Sequence, residues 1–97
     1  MVNISSIAGV VDGPYGWPEY AAAKAGLARA TSCLGGLDGV RVTCVAPDWL
    51  ATDRALAELA GLPAGTPPPI PLARLCDEVV ALVEDDDAAG RVVVLER

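Results

Sequence analysis

Tyr20 and Lys24 stand four residues apart in Tyr20-Ala21-Ala22-Ala23-Lys24, a short way after the serine pair of Asn3-Ile4-Ser5-Ser6. On a helix, positions i and i+4 share a face, one above the other, so phenol and ammonium become neighbours. An ammonium beside a phenol favours the phenolate, because the opposite charge stabilises the ionised form. That draws a phenol from about 10 towards the working pH, where a group that gives and takes a proton is most efficient. A serine brought to the same place can hydrogen-bond a substrate oxygen as charge develops on it. Together the three side chains read as a site for moving a proton on and off a carbonyl or alcohol oxygen. The competing reading of Tyr-x-x-x-Lys alone is a surface helix whose Lys stem lies over a Tyr ring.

The elements that must position these residues follow from the punctuation of the chain. Met1 to Ser5 is short, apolar and β-prone, and reads as a strand. Gly9 to Trp17 holds three glycines and Pro14 and reads as a loop. Pro18 suits a first helical turn, with Glu19 near its positive end, and the helix runs to about Leu34, where Gly35-Gly36 supplies a stop. Val40 to Val45 is a β-branched second strand ended by Pro47. Thr52 or Asp53 can cap a short helix through about Ala60. Gly61 to Pro71 contains five prolines and two glycines and reads as an extended loop. Leu72 to Glu84 repeats apolar residues with a helical period, and Arg91 to Leu95 is a Val-rich third strand.

Strands alternating with helices predict a parallel sheet with helical crossovers, and near-continuous apolar strands predict that both faces are covered. Ligands of such sheets bind beyond the carboxyl ends of the strands. Ser6 falls at the end of the first strand and Pro47 to Thr52 at the end of the second, with Tyr20 and Lys24 on the helix between them.

At 97 residues the chain can bury one core, so one domain is the ceiling. A net charge of −6 argues against a nucleic-acid partner or an anionic membrane surface. The first residues lack a basic region and do not read as a signal peptide, and no apolar run is long enough for a membrane span. Cys33, Cys44 and Cys76 are odd in number and widely spaced, and there is no histidine, so neither a metal site nor a disulfide framework is expected. Each reads as a small buried hydrophobe, and the expected compartment is the cytoplasm.

Four blocks in order resemble the C-terminal portion of the short-chain dehydrogenase/reductase family: Val2 to Gly9, Tyr20 to Leu27, Val40 to Pro47, and Leu50-Ala51-Thr52-Asp53. The resemblance implies a partial Rossmann-like domain over residues 1–97, α/β, the C-terminal half of a doubly wound parallel sheet. It implies an NAD- or NADP-dependent oxidoreductase acting on a small-molecule alcohol or carbonyl compound. On the matching positions, Ser6 polarises the substrate oxygen, Tyr20 is the acid/base, and Lys24 supports Tyr20 and hydrogen-bonds the nicotinamide ribose. Tyr20, Lys24, Pro47, Leu50 and Thr52 are the implied cofactor contacts. Ser5 remains the rival for the serine role, since strand neighbours point to opposite faces.

The chain departs from the family at Asp48, where Gly is usual, and at Thr43, where Asn is frequent. A glycine-rich loop opening a helix, which cradles a pyrophosphate, is not found; Gly35, Gly36 and Gly39 have the wrong spacing and precede a strand. Two readings follow. One is the C-terminal half of an NAD- or NADP-dependent oxidoreductase, expected to be inactive by itself and not to bind a dinucleotide usefully. The other is a non-catalytic module that associates through its sheet edge and its Ala-rich helix. In either case a homo-oligomer is expected.

Overall fold

Three parallel strands, β1 (Val2–Ile4), β2 (Thr43–Pro47) and β3 (Val92–Leu95), lie in the order β1-β2-β3 in a computed structural model that describes residues 1–97. Val2 pairs with Thr43 and Cys44 with Val92. Every residue of β2 is buried, as a central apolar strand requires. The ladder reaches past the strand ends. Thr43 donates to the Met1 carbonyl (2.9 Å) and Ser5 to the Val45 carbonyl (2.8 Å), so the expected first strand is paired throughout.

The second strand is displaced from its expected span: it starts at Thr43, not Val40, and continues through Pro47. The backbone explains how a proline is accommodated. Thr43 donates towards β1, while Cys44 and Asp48 donate to the carbonyls of Arg91 and Leu95 on the β3 side. The alternation puts the missing Pro47 donor on the β1 side, beyond Ile4, where β1 has already ended.

Helix α1 (Pro18–Cys33) begins with Pro18 in its first turn and Glu19 beside it. It ends in a 3-10 turn over Leu34–Gly36. Neither Gly35 nor Gly36 has a positive φ. Gly35 serves instead as a point of close approach: a Cβ there would lie 2.9 Å from the Gly90 Cα. Helix α2 (Asp53–Ala60) is capped by Thr52, whose hydroxyl accepts from Ala55 N at 3.2 Å. Helix α3 (Leu72–Glu84) leads into a turn in which Asp85 accepts from Asp87 N and pairs with Arg91. Those two partners, the backbone N–H first, hold the Asp85 carboxyl below the usual carboxylate range.

The two long helices cover opposite faces of the sheet. On one face, Asn3 donates to Thr31 and the Ser5 hydroxyl to the Lys24 carbonyl of α1. On the other, Leu75, Val79 and Leu82 of α3 meet Val2, Val45, Val93 and Leu95. Both crossovers step in the same direction across the sheet, so helices on opposite faces give them opposite hands, and one departs from the right-handed rule. The long connection from Asp48 to Pro71 carries the chain around to the second face. It is not purely a loop. Leu50 and Ile70 form a parallel bridge, with Ile70 N donating to the Trp49 carbonyl (2.7 Å) and Ala51 N to the Ile70 carbonyl (2.8 Å). Ile70 is fully buried beside Val45, Leu82, Ala88 and Leu95.

Only 15 of the 97 residues are buried, so much apolar surface is left outside the core. Of α1, only Ala28 and Thr31 are buried. The cysteines divide in the same way: Cys44 is buried, but Cys33 and Cys76 are exposed, contrary to the expectation for all three. Those two lie on helix faces that the chain does not cover. No helix is long and apolar enough to cross a membrane.

Candidate active site

Tyr20, Lys24, Ala28 and Thr31 form one stripe along α1. Its inner end, Ala28 and Thr31, is buried against the sheet, while Tyr20 is substantially exposed. The spacing keeps Tyr20 and Lys24 in line with the buried residues but carries them past the carboxyl ends of the strands. Lys24 Nζ donates to the Ile4 carbonyl at 3.2 Å, which fastens the ammonium to the last residue of β1. The same nitrogen stands 5.7 Å from the centroid of the Tyr20 ring, over its face.

The serine pair divides by environment. Ser5 is buried, and its hydroxyl donates to the Lys24 carbonyl at 2.7 Å, tying β1 to α1. Ser6 is half-buried and caps the 3-10 turn Ile7–Gly9, its Oγ accepting from Ala8 N at 3.2 Å. An oxygen that accepts in this way still has its O–H to donate. Gly9 closes the same turn directly against α1, where a Cβ would lie 2.5 Å from Ala25 N.

A cavity of about 450 Å³ opens between these elements. Ser5, Ser6, Tyr20, Lys24, Pro47, Leu50 and Thr52 all line it, so every residue singled out from the sequence reaches one place. Leu50 also packs against the core, and Thr52 is already engaged as the α2 cap. Asp48, at the usual Gly position, does not stand as a bare charge. Its carboxylate accepts from Trp49 N (2.7 Å) and from Arg97 Nε (3.3 Å), and the Arg97 guanidinium lies 5.7 Å from the Trp49 ring centroid.

Beneath the site, Cys44 is the one buried thiol. Burial pushes it above the ordinary thiol range, partly offset by hydrogen bonds from Ser5 and Thr31 and by the Lys24 charge. A protonated, enclosed thiol is a poor nucleophile.

Sequence reasoning missed Tyr15, Trp49, Gly9 and Arg97. Tyr15 lies in a glycine-rich loop, and Arg97 reaches Asp48 only because β3 lies beside β2. One signal was present. The four aromatic residues of the chain are Tyr15, Trp17, Tyr20 and Trp49, gathered around the two segments that build the site.

Residues 1–60 match the family model described as short chain dehydrogenase. The chain is 40% identical over 89 residues to a 3-oxoacyl-[acyl-carrier-protein] reductase of Chlamydia muridarum, covering 77% of this chain and 36% of that protein. Its fold is similar to that of the 3-hydroxyacyl-CoA dehydrogenase type-2 of Mycobacterium avium, with a TM-score of 0.77 and 31% identity over 98% of this chain and 39% of that one. A 3-oxoacyl-[acyl-carrier protein] reductase with bound NAD from Brucella melitensis gives a TM-score of 0.69 and 27% identity, over 98% and 38%. The chain therefore spans rather more than a third of the length of these relatives.

Proposed function

The chain belongs to the short-chain dehydrogenase family, and on that premise we propose that it forms the proton-transfer end of an NAD- or NADP-dependent oxidoreductase acting on an alcohol or ketone. The observation that carries this reading is the single cavity onto which Ser6, Tyr20 and Lys24 all open beside Pro47 to Thr52. A nicotinamide ring with its ribose fits such a cavity in size and in kind, with apolar walls at Ile4, Pro47 and Leu50 and polar groups at Lys24 and Thr52. Lys24, Pro47, Leu50 and Thr52, with Tyr20 alongside, are the residues that would hold it. A bound nicotinamide cofactor supplies or takes up the hydride.

The remaining steps fall to the chain's own residues. Ser6, its Oγ held by Ala8 N, donates its hydroxyl proton in a hydrogen bond to the substrate oxygen. Tyr20 gives a proton to that oxygen as a ketone becomes an alcohol, and takes one back in the reverse direction. Lys24, fastened to the Ile4 carbonyl, keeps a positive charge beside the ring while the proton is away. Ser5 is assigned a structural part because its hydroxyl is spent on α1. The cytoplasm, where the three free thiols would persist, is the proposed compartment.

The test joins this chain to the amino-terminal portion of a family relative and follows cofactor absorbance during turnover. Tyr20→Phe is expected to lower turnover by roughly 10²- to 10⁴-fold, the range for a positioned acid/base. Wild-type turnover in that variant would refute the assignment.

A further inference from the structure

We infer that the oxidoreductase site proposed above takes an uncharged substrate whose carbonyl or hydroxyl group is carried on a flat aromatic or fused-ring body, held against the rings of Trp17 and Trp49. The inference rests on that proposed function for the position of the reacting oxygen, and on a second cavity for the rest. This cavity, about 580 Å³, lies on the other side of Tyr20 and shares Tyr15, Tyr20, Trp49 and Thr52 with the first.

The chain has two Trp, two Tyr and no Phe, and all four rings line this one cavity. Aromatic side chains ordinarily supply large areas to a core. Here the core is built from Val, Ile, Leu and Ala, while Trp17 is 64% exposed and Tyr15 44%. An aromatic complement withheld entirely from the core and gathered around a cleft is what ring recognition needs. The rings are also held in place. Tyr15 meets Trp17 edge-on at 6.0 Å between centroids (interplanar angle 76°), and Tyr20 at 6.1 Å. Trp49 is braced through its backbone by Asp48 and over its ring by Arg97. Rings fixed in advance lose little freedom on binding, so a stacked ligand keeps more of its contact energy.

Charge narrows the class further. The charged residues of the rim are Glu19, Arg54 and Glu58, and Arg54 is already paired with Glu58 at 2.9 Å. Glu19, at the N-terminal end of α1, has no ion-pair partner, so the rim carries a net negative charge on a chain of net charge −6, which disfavours an anionic substrate or carrier group.

The experiment exploits the placement of both tryptophans. Their two indole N–H signals do not require turnover, and that of Trp17, which lines the second cavity and not the first, separates the two. The full chain, labelled with ¹⁵N, is titrated with 2-tetralone and with 2-decalone, bicyclic ketones of equal carbon number with and without an aromatic face. Saturable shifts of both indoles are expected, with 2-tetralone bound about tenfold more tightly. Trp17→Phe keeps that preference and Trp17→Leu abolishes it; at so exposed a position neither threatens the fold. Equal affinity for the two ketones, or indoles that do not respond, would overturn the inference even where Tyr20-dependent turnover stands. A retained preference without Tyr20-dependent turnover would support the ring subsite and overturn the proposed function alone.

Discussion

Gly9→Ala tests the joint between the serine turn and the helix. A Cβ at Gly9 would lie 2.5 Å from Ala25 N, 2.6 Å from the Lys24 carbonyl carbon and 2.9 Å from Lys24 Cβ. Ordinary contact begins near 3.4 Å, so the turn must lift by roughly 0.9 Å, the difference between 3.4 and 2.5. The two nearest atoms belong to helix backbone and cannot rotate aside. Gly9 has no positive φ, so the cost is contact and not backbone strain. Overpacking of this kind costs about 1–3 kcal/mol, offset by up to about 1 kcal/mol from a stiffer unfolded chain. A net loss of about 1–2 kcal/mol is expected in urea denaturation. Gly26→Ala is the control: it lies within α1 with nothing inside 4 Å of its new Cβ, and should gain up to about 1 kcal/mol. In an assembled enzyme, lifting Ser6 by that distance should cost about 10²-fold in turnover. A Gly9→Ala chain as stable as the parent, with Gly26→Ala behaving as stated, would refute the reasoning.

Thr31→Val keeps the shape of a fully buried side chain but removes the acceptor of the Asn3 amide and the donor to the Leu27 carbonyl; about 1–2 kcal/mol should be lost, read as a lower urea midpoint. Thiol labelling of the native chain should find Cys33 and Cys76 reactive and Cys44 protected until unfolding, and equal rates at all three would contradict the burial described. The raised Cys44 thiol also sets a sign: between the ordinary thiol value and the folded one, the unfolded chain has released a proton that the native chain retains. Stability should therefore fall as pH rises through the ordinary thiol range, and Cys44→Ala should flatten that limb. Finally, β1 is an edge strand, and Ala22, Gly26 and Ala30 expose a smooth strip of α1, so we propose self-association; sedimentation at tens of micromolar should show dimers or larger species, weakened by Ala30→Glu.

The order of elements was legible because local chemistry decides it. Pro18 suits a first helical turn, Thr52 offers a cap, and Val-rich runs favour strands. The shift of β2 was not legible, because a strand begins where partners are available on both sides, and those partners lie far along the chain. Pro47 reads as a terminator in the sequence, but its missing donor falls on the side where β1 has ended and no ladder bond is called for. Ile70 was hidden among prolines, and its burial depends on the bridge to Leu50. Likewise, Gly35 looked like a helix stop until Gly90 came to lie against it. That Ser6, Tyr20 and Lys24 come to line one cavity was readable from their types and spacing, since one helical repeat and one strand end place them. The division between Ser5 and Ser6 depends on which hydroxyl meets the Lys24 carbonyl, a contact made only in three dimensions.

The stripe from Tyr20 to Thr31 ties the chemistry to the fold. Its inner residues meet the sheet through the Asn3 amide, and its middle is clamped from both sides: Lys24 Nζ on the Ile4 carbonyl, and the Ser5 hydroxyl on the Lys24 carbonyl. Asn3 and Ile4 of β1 and Ser5 just after it thus hold the helix at three points, and the chain then presents Ser6. A displacement of β1 would consequently move serine, tyrosine and lysine together, preserving their relation to one another but not to Pro47 to Thr52. That second segment is held separately, by the Leu50–Ile70 bridge and by the Asp48–Arg97 pair. Damage to the two supports should therefore differ in kind. Loosening Arg97 opens the wall that carries Trp49 and should weaken ligand binding, whereas loosening Thr31 or Gly9 disturbs Ser6, Tyr20 and Lys24, the residues we propose for proton transfer, and should slow the reacting step.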